Sequence, residues 1–245
     1  GGLLDSAVKT ADKFIDSGVI VSTKSRIASE NKTFSATKKA TIVDKGTPIV
    51  VLINKGSASA SEILSGALKD YHVAYLVGER TYGKGSVQQV LPLFEKDGTN
   101  DGIKLTVARY YSPTDCNIDK IGIPPDMEVK MGNYSDEETA TFIKLAEERV
   151  IEKYVEEHPS MTEDDIAAYA QELKKTYNMD IRLLRRLIRV ETLRTKKAPV
   201  YDLDYDVQLV EALKIVKNPN FSSLVKSTKS LKQLQAEAEA SENKE

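Results

Sequence analysis

The sequence predicts an α/β fold, and two apolar segments with a helix between them carry this prediction. Residues 49–53 are uniformly apolar and residues 73–77 largely so, which is typical of strands that are covered on both faces. Residues 60–71 carry apolar side chains at helical spacing, at Ile63, Leu64, Ala67 and Leu68. A strand, a helix and a strand in this order predict a βαβ unit with parallel strands. We expect residues 49–53 to lie in the middle of the parallel sheet.

Further elements are predicted on both sides of this unit. An amphipathic helix opens the chain, with one apolar face formed by Leu4, Val8, Ala11 and Ile15. Alternating patterns at residues 19–24 and 32–38 predict two strands of a hairpin or edge ribbon. Residues 87–94 and 103–111 predict two more strands, joined by a polar loop at 95–102.

The second half of the chain is predicted to be helical and rich in charge. A first helix is expected through residues 142–155, a second after the capping-box sequence at 162–165, and a third over 181–193. The third helix interleaves apolar residues with Arg182, Arg185, Arg186 and Arg189. This pattern favours a packing helix with solvated guanidinium groups over an anion-binding face.

Composition excludes several classes of function. Lysine and arginine number 17 against 15 acidic residues in residues 1–135, and 18 against 22 in the rest, so neither half has a nucleic-acid footprint. No apolar run approaches the roughly 18 residues that a membrane span requires. The single cysteine, Cys116, excludes an internal disulfide, and the two histidines leave little basis for a zinc site. No metal or other cofactor is indicated, and we expect no chemical role for Cys116.

A serine cluster lies where the first apolar strand gives way to the helix. The run Gly-Ser-Ala-Ser-Ala-Ser-Glu occupies residues 56–62. Backbone N–H groups are free at a helix N-terminus and can stabilise an oxyanion, so Ser59 is a candidate nucleophile. The same residues also fit a plain capping box in which Glu62 reaches back to the cap. Ser57 and Ser61 compete with Ser59 for the role of nucleophile.

Lys84 is the candidate general base for this serine. It lies between Gly83 and Gly85, which allow close approach of the backbone. The histidines offer no clear alternative, because His72 comes near the end of the helix that begins beside Ser59 and His158 lies in a charged helical region. A lysine accepts a proton only when it is neutral, which requires burial. The alternative role of Lys84 is that of a solvated lysine in a turn.

Six blocks of sequence resemble, in order, the carboxyl-terminal processing proteases, also called tail-specific proteases. They are Pro-Ile-Val-Val-Leu-Ile-Asn (48–54), the serine run (56–62), Gly-Ala-Leu with Asp70 (66–70), Thr-Tyr-Gly-Lys-Gly-Ser-Val-Gln (81–88), Lys-Leu-Thr-Val-Ala-Arg-Tyr-Tyr (104–111) and Gly-Ile-Pro-Pro-Asp (122–126). The resemblance extends from Gly1 to about residue 131, and residues 204–216 resemble the family's closing helix. It implies a crotonase-like spiral of βαβ units.

The same resemblance implies a serine-lysine endopeptidase that needs no cofactor. Ser59 would be the nucleophile, Lys84 the base and Gln88 the residue that orients the lysine, and the family's spacing selects Ser59 among the serines. The oxyanion hole would be formed by the amide of Ala60 and that of Gly1 or Gly2. The implied location is periplasmic or otherwise extracytoplasmic.

The resemblance also frames the domain organisation. We expect a catalytic core at residues 1–134 that lacks its upstream part, a helical region at 135–225, and a weakly structured tail at 226–245. The helices are candidates for homodimerisation or for packing against the missing upstream part. In the family a PDZ domain captures the substrate's carboxylate, and no segment of this chain resembles one. A strand that would anchor the glycine turn is also missing, so we expect Gly1 and Gly2 to be disordered or displaced. For both reasons we expect the chain alone to cleave tailed peptides poorly.

Two acidic residues near the proposed site are assigned supporting roles. Asp70 lies eleven residues after Ser59, or roughly 16 Å along a helix, and is predicted to be structural. Glu62 is expected to form a cap or a supporting hydrogen bond.

Two other classes of protein share the implied fold: a crotonase-like enzyme that acts on acyl thioesters, and a noncatalytic binding module.

Overall fold

The computed structural model describes residues 1–96, 99–132, 134–194, 196 and 200–242. The chain forms two compact units, the first made of Gly1–Lys130 with Gln208–Glu245 and the second of Met131–Val207. The predicted division at residues 134 and 225 therefore differs from the observed one. The closing helices belong with the α/β unit, because their apolar side chains pack against its strands.

Strands dominate the first half of the chain, and helices dominate the second. The strands are β1 (Gly18–Ser25), β2 (Lys32–Ala36), β3 (Val50–Ile53), β4 (Tyr75–Gly78), β5 (Ser86–Lys96), β6 (Thr99–Tyr111) and β7 (Met127–Glu128). The helices are α1 (Leu4–Ala11), α2 (Ala60–Asp70), α3 (Asp136–Glu147), α4 (Val150–Glu157), α5 (Glu163–Thr176), α6 (Ile181–Leu193), α7 (Val207–Val216), α8 (Phe221–Lys226) and α9 (Leu231–Glu242).

The predicted βαβ unit is confirmed. β3 and β4 pair in parallel, from Val50 opposite Tyr75 to Ile53 opposite Gly78, and α2 connects them. Within the described residues, β3, β4 and β7 form one sheet in that order, and β2, β1, β6 and β5 form the other. The two sheets and the helices of the first unit make it a mixed α/β structure.

The expected place of β3 within its sheet is wrong. β4 is the central strand and is buried at every position, whereas β3 lies at the sheet edge and exposes 40% of Leu52. An apolar run predicts that a strand is buried, but it does not predict the order of the strands. That order depends on which other segments of the chain pair with each strand. Here β7, almost fifty residues further along the chain, pairs with β4 on the side opposite to β3, which makes β4 the central strand.

The first hairpin is confirmed, and the second is longer than predicted. β1 and β2 pair antiparallel. β5 and β6 are paired as far as Lys96 opposite Thr99, so most of the predicted loop at 95–102 is strand, and residues 97–98 lie outside the described residues. Residues 88–93 and 101–106 of the hairpin are exposed on both faces, so they do not show the alternation that marks a half-buried strand.

The catalytic helix candidate, α2, is held from one side by α1. Ala7 and Ala11 of α1 are buried in the same core as Ala67 and Leu68 of α2. Alanine side chains allow the two helices to approach closely. The predicted apolar face is confirmed for Leu4, Val8 and Ala11, which pack in this core, but the helix ends at Ala11, so Ile15 reaches the core from the segment that follows. This packing sets the direction of α2 and hence the position of its N-terminus.

The second unit is helical, as predicted, with one break that the sequence pattern does not reveal. Arg149 adopts a left-handed conformation (φ 54°) and divides the predicted first helix into α3 and α4. The capping box of α5 is confirmed, with Thr162 and Asp165 as partners. None of the helices in the described ranges is both long and apolar enough to cross a membrane.

The arginines of α6 are engaged within the second unit. Arg185 and Arg189 form ion pairs with Glu163, and Arg186 donates to the backbone carbonyl of Met131 at 3.1 Å. The interpretation of α6 as a packing helix is confirmed by its buried residues Leu184, Ile188 and Thr192. The expected solvation of its guanidinium groups is wrong for Arg189, whose side chain is only 19% exposed.

The tail predicted to be weakly structured is anchored at its start. Leu231, the first residue of α9, is 6% exposed, and its amide donates to Asp70 Oδ1 at 2.7 Å. The composition of residues 226–245 does not predict that this segment is held in place. Its attachment depends on one buried leucine and one backbone N–H, which hardly change the composition.

Candidate active site

Ser59 lies at the turn that joins β3 to α2 and has a strained backbone. It caps the helix with φ 58° and ψ −116°, a conformation that residues with a side chain rarely adopt. Such a residue costs on the order of 1–3 kcal/mol and is retained where the surrounding structure enforces it. Strained strand-to-helix turns of this kind present the nucleophilic serine of several hydrolases.

The neighbouring serines have other tasks. Ser57 Oγ accepts a hydrogen bond from the amide of Asn54 at 3.2 Å, and so closes the turn after β3. Ser61 lies within the first turn of α2, with its amide bonded to the carbonyl of Ala58. Geometry therefore sets Ser59 apart from both, independently of the family spacing that selected it.

The turn also presents candidate donors for an oxyanion. Among the described residues, no acceptor pairs with the amide of Ala60, as is typical of the first N–H of a helix. Gly1 lies beside the turn, since a Cβ atom on it would be 3.0 Å from the carbonyl oxygen of Ala58 and 3.6 Å from Ser59 Cβ. The expected displacement of Gly1 is wrong. A Cβ atom on Gly2 would meet no atom within 4 Å.

The segment that carries Lys84 is wedged between two neighbours. On one side, the amide of Tyr82 donates to the carbonyl of Ser57 at 2.9 Å. On the other, a Cβ atom on Gly83 would be 2.9 Å from the backbone nitrogen of Gly122, and Gly83 has φ 85°. The glycines around Lys84 are therefore required by close backbone approach, as the sequence predicts.

A single buried carboxylate joins this segment to the serine turn. Glu62 is 1% exposed, and its Oε2 accepts hydrogen bonds from the amides of Ser59 at 2.8 Å and Lys84 at 2.9 Å. Its Oε1 accepts from Thr81 Oγ1 at 2.5 Å and from the amide of Gly83 at 2.7 Å. The structure thus brings the backbones of Ser59 and Lys84 to one oxygen atom.

The remaining predicted site residue lies on the adjoining strand. Gln88 is on β5, four residues after Lys84, where it pairs with Thr106 and is exposed. The side chains of Ser59 and Lys84 are both partly buried. In the part of the chain that the structure describes, no group of three or more histidine, cysteine or acidic side chains could hold a metal ion.

Neither histidine lies beside Ser59 in the first unit. His72 follows the C-terminal end of α2, with Nδ1 3.0 Å from Thr228 Oγ1. His158 belongs to the second unit, where Nδ1 is 2.8 Å from the carbonyl of Tyr154. A cavity of about 450 Å³ is lined by His72 and not by Ser59, so this cavity lies at the end of α2 opposite to Ser59.

Asp70 ties the far end of α2 to two other segments. Its Oδ2 accepts from Ser112 Oγ at 2.6 Å and from Thr114 Oγ1 at 2.7 Å. Its Oδ1 holds the first turn of α9 through the amide of Leu231. Burial raises the pKa of the nearby Cys116 thiol, which keeps it protonated and unreactive.

Asp70→Ala is expected to lower the free energy of unfolding by about 2–4 kcal/mol, because one buried and three partly buried donors lose their acceptor at once. Activity per folded molecule should stay within about tenfold of the wild type, since Asp70 lies about 16 Å from Ser59 along the helix. Denaturant unfolding and kinetics below the unfolding transition measure both quantities. Ser112→Ala, which removes one partner, should cost about 1 kcal/mol. A loss of kcat above about 1000-fold with unchanged stability would contradict the structural role.

A strained serine at a helix N-terminus, with a lysine segment fixed beside it, is the kind of site that serine hydrolases build on α/β folds. Residues 1–129 match the model of peptidase family S41, and the chain belongs to that family. A carboxy-terminal-processing protease of Bartonella bacilliformis is 47% identical over 130 residues, which are 53% of this chain and 29% of that protein. A carboxyl-terminal-processing protease of Synechocystis is 44% identical over 130 residues, with the same coverage of both chains.

Solved structures include a similar protein. The photosystem II D1 C-terminal processing protease is 42% identical, with a TM-score of 0.46, over 53% of this chain and 32% of that one. The matched residues span about 29% of the length of the two carboxyl-terminal-processing relatives from Bartonella and Synechocystis. The family match ends at residue 129, so the second unit lies outside it.

Proposed function

We propose that the protein is a serine endopeptidase that cleaves polypeptides near their C-termini, with Ser59 as nucleophile and Lys84 as general base. The observation that carries this proposal is the Glu62 oxygen that accepts from the amides of both residues. Two segments more than twenty residues apart are held together at this point, and one of them bears a serine with a strained backbone. Membership of a peptidase family supports the same reaction.

The reaction proceeds through an acyl-enzyme. Ser59 Oγ attacks the carbonyl carbon of the scissile peptide bond, and its proton passes to the neutral amine of Lys84. The oxyanion accepts hydrogen bonds from the amide of Ala60 and from a glycine amide, with Gly1 favoured by its position beside Ser59. The ammonium of Lys84 then protonates the leaving amine. Water, deprotonated by Lys84, attacks the ester carbonyl, the bond to Ser59 Oγ breaks, and the ammonium of Lys84 returns the proton to Ser59 Oγ. Gln88 orients the lysine.

The edge of the four-stranded sheet supports a polypeptide as substrate. Among the described residues, β5 has β6 on one side and no strand on the other, and β5 begins two residues after Lys84. An extended peptide can add to such an edge through backbone hydrogen bonds, which are independent of its sequence. Specificity for C-terminal tails is proposed by analogy with the carboxyl-terminal-processing relatives.

The finer features of the protein follow the same relatives. The proposed fold is the crotonase-like spiral, within which the observed βαβ unit is one turn. The proposed location is periplasmic or otherwise extracytoplasmic, in line with bacterial and chloroplastic relatives. A PDZ domain is proposed to deliver the substrate tail, and the second unit is a candidate for homodimerisation.

Digestion of a peptide library tests the reaction. Protein that contains all of residues 1–245 is incubated with peptides that end in a free carboxylate and with amidated copies, and products are identified by mass spectrometry. We expect cleavage near the C-terminus, preference for the free carboxylate, and an acyl adduct on the peptide that contains Ser59 after an acid quench. Hydrolysis of acyl thioesters without peptide cleavage would favour a crotonase-like enzyme. Peptide binding without either reaction would favour a binding module.

A further inference from the structure

We propose that Glu62 is the positioning residue of this site, and that its carboxylate sets the serine turn and the lysine segment relative to each other. The proposal rests on the proposed function for its catalytic consequence. A simple helix cap explains one of its four hydrogen bonds, the one to the amide of Ser59. The other three reach the segment at residues 81–84, which a cap does not require.

The carboxylate of Glu62 is fully occupied as an acceptor. Each oxygen receives two donors, and all four come from neutral groups, three amides and one hydroxyl. A carboxylate that is 1% exposed is stable as an anion only with such partners. Glu62 therefore has no free lone pair to take a proton from substrate, and it acts through the backbones it holds.

The hydrogen bonds also account for how the strain at Ser59 is maintained. A positive φ at a residue with a side chain persists where neighbouring contacts enforce it. The bond from the Ser59 amide to Glu62 Oε2 fixes the peptide group before the strained residue, and the bond from the Lys84 amide to the same atom fixes the base. Thr81 extends the network, because its Oγ1 also accepts from the amide of Ile123 at 2.7 Å.

Glu62→Gln is the decisive variant. It keeps the side-chain shape but replaces one carboxylate oxygen with an NH₂ group. This group is itself a hydrogen-bond donor, so it faces N–H or O–H donors and cannot accept from them. A displacement of about 1 Å at a reacting group can cost on the order of 100-fold in rate. We expect kcat for a peptide to fall by about 100-fold or more while KM changes less than about threefold, because the substrate's own contacts are intact.

Two further variants serve as comparisons. Ser65→Ala removes another buried polar group from α2, whose hydroxyl bonds to the carbonyl of Ser61, and should leave kcat within about twofold. Thr81→Val removes one partner of Oε1 and leaves both partners of Oε2, so an intermediate loss is expected. If Glu62→Gln does not fold, Thr81→Val tests the proposal, and wild-type kcat in that variant overturns it.

Amide hydrogen exchange gives a readout that does not depend on activity. In Glu62→Gln the amides of Ser59, Gly83 and Lys84 should exchange at least about tenfold faster. The amide of Leu76, which donates to Asp126 Oδ2 at 2.8 Å, should be unchanged. Unchanged exchange at the three amides, or kcat within about threefold of the wild type, would overturn the positioning role. If the wild type cleaves no peptide, the proposed function fails, and the exchange rates alone decide whether Glu62 holds the two segments.

Discussion

Ser59→Ala is expected to abolish turnover, with a loss of at least about 10⁴-fold in kcat, while the protein stays folded. The hydroxyl is the attacking group, and no other serine occupies the strained position at the start of α2. Peptide cleavage and loss of the acyl adduct measure the effect. Circular dichroism and thermal unfolding establish that the fold is retained.

Two matched variants separate chemistry from backbone strain. Ser57→Ala should keep most activity, because the Ser57 hydroxyl serves the turn after β3. Ser59→Gly should be as inactive as Ser59→Ala but more stable by about 1 kcal/mol, since glycine adopts a positive φ without strain. An inactive Ser57→Ala together with an active Ser59→Ala would contradict this assignment and identify Ser57 as the nucleophile.

Lys84→Met is expected to reduce kcat by at least about 1000-fold, because the serine then lacks a base. Lys84→Arg should be equally inactive, since a guanidinium group does not give up its proton. In the wild type, kcat/KM should rise with pH, because only the neutral amine accepts a proton. Rates for the three proteins between pH 6 and 10 measure these effects.

Lys55→Met is the control for the loss of a positive charge near the site. Lys55 is exposed in the turn before Ser59, and its removal should leave kcat within about twofold. A Lys84→Arg variant with wild-type kcat, or a flat pH profile with chemistry shown to limit the rate, would exclude Lys84 as the base.

Local patterns in the sequence were sufficient for the βαβ unit and for locating the two turns that carry the candidate residues. The period of apolar residues identified β3, α2 and β4, because each element must bury one face or both. Small residues around Ser59 and Lys84 marked the two turns, because close backbone approach excludes larger side chains. The choice of Ser59 among three serines needed the family resemblance, because the positive φ that distinguishes Ser59 in the structure cannot be read from the sequence.

The tertiary structure alone decided how these pieces meet. The sequence predicts a cap or a supporting hydrogen bond for Glu62, but it does not identify the partners. The bonds of Glu62 to residues about twenty positions away arise only when α2 and the segment before β5 pack together. The edge position of β3, the placement of Gly1 beside Ser59 and the anchoring of α9 by Asp70 have the same origin. A periodic pattern specifies that a face is buried and not which partner buries it, so contacts between distant segments are set by the packing of the whole unit.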